Sequence, residues 1–153
     1  YGEINLNNKF KYTGNFSGGY FDGNGELKKY DNWGDLISKR KGIFLKGKFI
    51  DGDVEEEIRQ QRWLPSSMYG YKITGKMKDG VYSGFGRLEH NQRDDTFEGN
   101  FENNQPAFGY EKITGYFEYE GEFKNFIPHG KGKRVWYDGE IEEGEFEFGR
   151  FIN

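Results

Sequence analysis

The chain has 153 residues, a formal net charge of −4 and no cysteine, so disulfides and thiolate chemistry are excluded. No run of apolar residues approaches the roughly 18 that are needed to span a bilayer. Residues 1–77 hold 13 Lys and Arg against 10 Asp and Glu, whereas residues 78–153 hold 9 against 16. Nucleic acid is therefore not expected as a partner, because phosphate binding needs clustered Lys and Arg. The chain begins at Tyr1 instead of Met, and we expect it to be part of a longer protein.

Aromatic rings dominate whatever this chain buries. It contains 15 Phe, 11 Tyr and 3 Trp, while apolar residues of all kinds make up only 33%. Disordered chains are poor in aromatic residues, so this composition favours a folded protein. It is typical of a thin, largely solvated sheet whose rings supply most of the buried area.

An internal repeat is the strongest pattern in the chain. The segments 12–27 and 72–88 share one skeleton of glycines, an apolar residue two positions after the first glycine, and a final leucine. Weaker copies follow the same order, and the six copies lie near residues 12–27, 45–53, 72–88, 97–112, 119–135 and 137–148. They predict a single domain over residues 1–153. The glycines assigned to the repeat are Gly14, Gly19, Gly23, Gly25, Gly47, Gly52, Gly75, Gly80, Gly84, Gly86, Gly99, Gly121, Gly130, Gly132, Gly139 and Gly144.

Each copy predicts a β-hairpin. Residues two apart on a strand share a face, so Tyr12, Gly14 and Phe16 lie on one face while Thr13 and Asn15 lie on the other. Glycines among the aromatic residues leave room for rings from a neighbouring copy to pack over bare backbone. We therefore expect an all-β fold, an elongated array of antiparallel hairpins that form a single twisted, curved sheet.

Residues 53–64, which read DVEEEIRQQRWL, predict one short inserted helix. Asp53 suits the N-cap, Glu56 completes a capping box, and Pro65 marks the end. This helix either covers a face of the sheet or separates two repeats. The functional alternative is that Trp63 docks into a partner.

The glycine and aromatic spacing resembles the MORN repeat family, and the copies at 12–27 and 75–88 fit its pattern at every glycine. Asn104 and Phe126 stand where that pattern has glycine. The resemblance implies a curved sheet whose groove accepts an α-helix, and a non-enzymatic role as a scaffold. It also implies an intracellular place, in the cytoplasm or in a cytoskeletal or ciliary (axonemal) assembly, or at membrane junctions.

The leading functional hypothesis is a protein–protein interaction module that docks a helical segment of a partner. Aromatic side chains are favoured anchors because they bring large area at low rotamer cost. The residues expected to line the docking face are Tyr12, Phe16, Phe49, Tyr69, Met77, Phe97, Phe101, Phe117, Phe123 and Tyr137. The alternative for each ring is a place in the core between repeats.

Two other binding functions stay open. A peripheral membrane module would use basic spots at Lys39, Arg40, Lys41, Lys46, Lys48, Lys131, Lys133 and Arg134, although the acidic second half of the chain works against it. A carbohydrate-binding repeat would use the aromatic and glycine pattern, but three Trp residues are few for that role.

No catalytic, metal or cofactor site is predicted. His90 and His129 lack partners at metal-ligand spacing. The segments 22–26 and 51–55 have alternating oxygen ligands but neither the glycine nor the final glutamate of a calcium loop, and turn chemistry explains both. No serine-nucleophile motif occurs. Two distant acids that converge as a glycosidase pair remain an open alternative.

Overall fold

The computed structural model describes residues 1–57 and 70–153, and in these ranges the protein is one open antiparallel sheet without a helix. This confirms the predicted all-β fold. Each strand pairs with its neighbours along the chain, except that the two-residue strand β7 pairs only with β6. The strands are β1 (Gly2–Leu6), β2 (Phe10–Ser17), β3 (Tyr20–Tyr30), β4 (Leu36–Leu45), β5 (Lys48–Glu57), β6 (Tyr71–Lys78), β7 (Val81–Tyr82), β8 (Gly84–His90), β9 (Thr96–Glu102), β10 (Gln105–Ile113), β11 (Phe117–Lys124), β12 (Ile127–Trp136), β13 (Ile141–Glu147) and β14 (Arg150–Phe151).

Six two-residue turns at one edge of the sheet define six hairpins. Both residues of each turn have positive φ, as in type I′ turns, whose twist matches that of the flanking strands. The turns lie at 18–19, 46–47, 79–80, 103–104, 125–126 and 148–149. Asn104 and Phe126, which replace glycine in the pattern, adopt φ values of 70° and 64°. Phe126 therefore takes a conformation that is uncommon for a bulky residue.

Paired glycines run across the sheet in two rows. The first glycine row consists of Gly2, Gly14, Gly25, Gly42 and Gly52, which pair in succession from β1 to β5. The second glycine row consists of Gly75, Gly86, Gly99, Gly109, Gly121, Gly132 and Gly144, from β6 to β13. The rows are offset by two residues, because Gly52 pairs with Met77 and Val54 pairs with Gly75.

The register corrects the assignment of two glycines. The pattern makes Gly47 and Gly139 the leading glycines of the predicted second and sixth copies, but both lie in turns with φ of 82° and 91°. The glycines that enter the rows in their place are Gly42 and Gly144. The second hairpin consequently begins at Leu36 and not near residue 45, and the sixth hairpin is β13–β14.

The predicted helix is wrong over its described part. Asp53–Glu57 belong to β5, where they pair with both β4 and β6. Val54 and Glu56 are buried while their neighbours are not, which is the period of a strand. Backbone hydrogen bonds on both sides outweigh the local helix signal. The rest of the expected helix, residues 58–64, lies outside the described residues.

The core lies on one face of the sheet, which we call the aromatic face. Its buried hydrophobic residues are Tyr12, Phe44, Phe49, Val54, Tyr71, Ile73, Met77, Tyr82, Leu88, Phe97, Phe101, Tyr119, Phe123 and Phe146. Ring centroids of neighbouring pairs lie 3.8–6.4 Å apart, mostly edge to face. Because the rings cover one another, a single sheet layer excludes water from them.

Three of these rings pack directly over the backbone of paired glycines. A Cβ atom on Gly14 would lie 2.6 Å from the hydroxyl oxygen of Tyr12, and the same distance separates a Cβ on Gly121 from that of Tyr119. Each tyrosine lies over the glycine of its own strand and over its paired glycine, and Phe97 does the same on β9 and β10. The predicted ring packing over bare backbone is therefore present. At these three positions the ring comes from the same hairpin, but at Gly86 it comes from the next one, because a Cβ atom there would lie 2.9 Å from Cε2 of Phe101 on β9.

Hydrogen bonds at the turns couple successive hairpins. In four hairpins, an N–H of the turn donates to a carbonyl of the hairpin before it, at 2.9–3.1 Å. The pairs are Gly47 to Phe21, Gly80 to Ile50, Asn104 to Tyr82 and Gly149 to Pro128. Stability in such an array depends on contacts between neighbours.

Candidate docking groove

The structure places most of the predicted docking residues in the core. Six of the ten are buried: Tyr12, Phe49, Met77, Phe97, Phe101 and Phe123. Phe117 is half-buried, Phe16 is partly exposed, and Tyr137 is 85% exposed in the connection between β12 and β13. Tyr69 lies outside the described residues. The expectation that the aromatic face is open to a partner therefore does not hold for the six buried residues.

The opposite face, which we call the charged face, carries two rows of side chains beside each glycine row. Along the second glycine row from Gly86 to Gly144, one flanking row consists of Phe85, Asn100, Phe108, Glu122, Lys131 and Glu145. The other consists of Arg87, Glu98, Tyr110, Glu120, Lys133 and Glu143. These residues lie one position from a glycine in sequence, so they point away from the core.

A groove follows the glycine rows on the charged face. Three cavities of 620, 560 and 500 Å³ lie along it, and glycine backbone lies beneath each of them. The first lies over Gly25, Gly42 and Gly52, the second touches Gly75, and the third lies over Gly121, Gly132 and Gly144. The first two share lining residues on β4 and β5. We call this feature the glycine groove.

Exposed aromatic residues stand beside the groove. Phe85 is 63% exposed and lines the 560 Å³ cavity, and Phe108 is 49% exposed and lines the 500 Å³ cavity. Both are paired with Asn100, on β9 between them. Tyr110 stands in the other flanking row, where burial and then a hydrogen bond to Glu118 raise its pKa to about 12, so the hydroxyl keeps its proton.

The repeat pattern does not predict the rings of Phe85 and Phe108, because both residues lie one position from a glycine and therefore face away from the core. Phe85 and Phe108 each directly precede a glycine of a returning strand, Gly86 and Gly109. An apolar residue next to the glycine, on a face otherwise made of charged residues, is the signal that marks them.

Ion pairs cover much of the charged face around β3–β6. Lys39 lies 3.7 Å from Glu26 and Lys76 lies 3.3 Å from Asp53. Neighbouring Lys28 pairs with Glu26 at 2.8 Å, and this hydrogen bond lowers the pKa of that carboxyl. The N-terminal part of the groove is therefore close to electrically balanced.

Charged groups on the aromatic face bind one another. The buried carboxylate of Glu56 contacts Arg40 at 2.9 Å, Ser38 at 3.1 Å and the hydroxyl of Tyr82. Burial, followed by the charge of Glu56, raises the pKa of Tyr82. These groups satisfy each other inside the core, as buried polar groups must.

Arg134 forms a second group of polar contacts on the aromatic face, toward the C-terminal end of the sheet. It donates to Glu142 from Nε and Nη2, both at 2.7 Å, and to the carbonyl of Gly149 at 2.8 Å. Its guanidinium also lies 4.6 Å from the ring centre of Trp136. Arg40 and Arg134 therefore make their contacts on the aromatic face, while the neighbouring lysines point to the charged face. The basic residues considered for lipid binding are thus divided between the two faces of the sheet.

Glu111 is the carboxyl with the most altered acidity. It lines a small cavity of 30 Å³ with Tyr71, Phe97 and other apolar side chains. Burial, followed by the charge of Asp95, raises its pKa to about 7, and Arg134 opposes the shift. Among the residues that the structure describes, no group of three or more His, Cys, Asp or Glu is placed to hold a metal ion.

No protein-family model matches the chain, and no curated protein matches it significantly. The resemblance to MORN repeats therefore depends on the glycine and aromatic pattern alone. Within residues 1–57 and 70–153 the structure has no helix that is long and apolar enough to cross a membrane.

Proposed function

We propose that the protein is a non-enzymatic interaction module that docks a helical segment of a protein partner in the glycine groove. The observation that carries the proposal is the groove itself, with Phe85, Phe108 and Tyr110 exposed beside it. Exposed rings beside a groove provide apolar anchors, while the surrounding charges provide a polar rim. The helix-in-groove mode of recognition uses this combination.

The docking surface is then the charged face and not the aromatic face. The rings of the aromatic face stabilise the hairpins, and the groove lies on the other side of the same glycines. Placement in a cytoskeletal or ciliary assembly is part of the proposal through the resemblance to MORN repeats.

The test is capture of the partner from the organism that produces the protein, with wild-type protein and two double variants. Phe85→Ala with Phe108→Ala removes the two exposed rings beside the groove and should abolish capture. Trp33→Ala with Tyr20→Ala removes two exposed rings away from the groove and should leave capture unchanged.

Equal capture by both double variants would exclude the groove. Capture of anionic vesicles in place of a protein, with a loss at high salt, would favour the membrane-binding alternative.

A further inference from the structure

We infer that the part of the glycine groove formed by β8–β13 takes a basic helical segment, whose Arg or Lys side chains lie against Phe85 and Phe108 and opposite Glu120 and Glu145. We call this part the acidic groove. The inference rests on the proposed docking function and names the chemistry of the partner.

Acids outnumber bases beside the acidic groove. From Gly86 to Gly144, the two rows that flank the second glycine row hold five acids, Glu98, Glu120, Glu122, Glu143 and Glu145, against three bases, Arg87, Lys131 and Lys133. The acidic bias of the second half of the chain is therefore displayed along this groove. A basic partner segment is the complementary one.

In the described ranges three of these acids, Glu120, Glu122 and Glu145, form no ion pair, and of their three carboxylates only that of Glu122 accepts a hydrogen bond, from the N–H of Lys131 at 2.7 Å. Arg87 pairs with Glu89 at 2.9 Å and also with Glu98, and Lys133 pairs with Glu143 at 3.2 Å. In contrast, neither Glu120 nor Glu145 forms an ion pair with any residue in the described ranges. The side chain of Glu145 lines the 500 Å³ cavity together with that of Glu120.

The exposed rings suit the same partner chemistry. A guanidinium or ammonium group over the face of an aromatic ring is attracted by the ring quadrupole. Phe85 and Phe108 are separated by one strand, β9, and so lie roughly 10 Å apart across the sheet. Cationic residues seven positions apart on a helix are separated by about 10.5 Å along its axis, so two of them can reach both rings.

The length of the acidic groove sets the size of the segment. Five strand spacings separate β8 from β13, which corresponds to roughly 24 Å. A helix of about 16 residues has this length.

The experiment measures binding of two labelled helix-forming peptides of about 16 residues to the full chain by fluorescence anisotropy. One peptide carries Arg at two positions seven apart, with Leu between them on the same face, and the other carries Glu at the two Arg positions. We expect the Arg peptide to bind at least about tenfold more tightly, and we expect this difference to shrink as salt rises from about 0.05 M to about 0.5 M.

A pair of variants locates the site. Glu120→Gln with Glu145→Gln should weaken binding of the Arg peptide about three- to tenfold. Glu102→Gln with Glu147→Gln removes the same charge from exposed positions near the turns and should change binding less than about twofold. Both acids of the first pair are exposed and without an ion pair among the described residues, so their substitution should leave the melting temperature unchanged.

The outcomes separate this inference from the docking function. Equal binding of both peptides overturns the preference for a basic segment and leaves docking in place. Binding of neither peptide overturns both. Binding of the Arg peptide that is insensitive to the change at Glu120 and Glu145 overturns the acidic groove as its site.

Discussion

Gly132→Ala tests whether an aromatic ring can pack over this strand only if the residue beneath it is glycine. A Cβ atom at this position would lie 2.5 Å from Cε2 of Tyr119, closer than real Cβ atoms approach other heavy atoms. The ring cannot tilt away freely, because it packs edge to face against Phe123 and Phe146 at centroid distances of 5.2 and 5.1 Å. We therefore expect the ring of Tyr119 to be displaced from its position over Gly132.

The magnitude follows from what the displaced ring loses. Burial of a large side chain stabilises a fold by roughly 1.5–3 kcal/mol. The hydrogen bond from the hydroxyl of Tyr119 to the carbonyl of Glu122, at 2.9 Å, contributes about 1 kcal/mol. Replacement of glycine in a strand returns roughly 0.5–1 kcal/mol of backbone entropy. The expected loss is about 2–3 kcal/mol in the free energy of unfolding, measured by urea denaturation.

Gly75→Ala is the matched control in the same glycine row. A Cβ atom there would meet its nearest neighbours at 3.4 and 3.6 Å, which are ordinary contacts. The residue two positions earlier is Ile73, so no ring lies over this glycine. The control should change the free energy of unfolding by less than about 0.5 kcal/mol.

A double-mutant cycle completes the test. In a Tyr119→Ala background, Gly132→Ala should cost less than about 0.5 kcal/mol, because the ring that it displaces is already gone. The coupling energy between the two positions should then be about 2 kcal/mol. Equal losses for Gly132→Ala and Gly75→Ala, or additive losses in the cycle, would refute the claim that the Tyr119 ring needs a glycine at position 132.

Three further predictions concern the core and its charges. Tyr12→Ala should cost about 3–5 kcal/mol in urea denaturation whereas Thr13→Ala should cost less than about 0.5, and the reverse order would contradict the assignment of faces. Because Glu111 has a folded pKa of about 7, above its ordinary value, stability should fall by about 2–3 kcal/mol as pH rises from about 4.5 to about 7, and Glu111→Gln should flatten this slope relative to wild type. An unchanged slope would show that another group titrates. Arg134→Met should cost about 3–5 kcal/mol because it removes the cation from the Glu142 carboxylate and leaves it only the indole N–H of Trp136, and a melting temperature equal to that of wild type would exclude this pair as a stabilising contact.

The sequence predicts the fold class because its glycines and rings repeat with strand parity. Gly14 and Gly75 both lie in paired glycine rows, and Tyr12 lies on the core face as expected. The second copy is misplaced because Arg40, not an aromatic residue, stands two positions before Gly42. Without that ring the local pattern fits the turn glycine Gly47 equally well.

The inserted helix illustrates how pairing overrides local signals. Asp53 and Glu56 match a capping box, but the buried network with Arg40 uses Glu56 as a strand residue facing the core. That contact joins residues 16 positions apart, so no window of local sequence contains it.

The docking groove could be predicted only in part. The sequence indicates an aromatic sheet and an acidic second half, but it does not show that the periodic rings fill the core. Once those rings are buried, only out-of-phase residues such as Phe85 and Phe108 remain exposed on the charged face. Their contribution depends on strand register, which single-sequence patterns specify weakly.

The most direct test of the docking face is site-specific photo-crosslinking to the captured partner. A benzophenone side chain is placed at Phe85 on the charged face in one protein and at Phe16, the partly exposed ring of the aromatic face, in another. We expect a crosslinked partner peptide from position 85 and none from position 16. Crosslinks from position 16 alone would show that the partner binds the aromatic face and would contradict docking in the glycine groove.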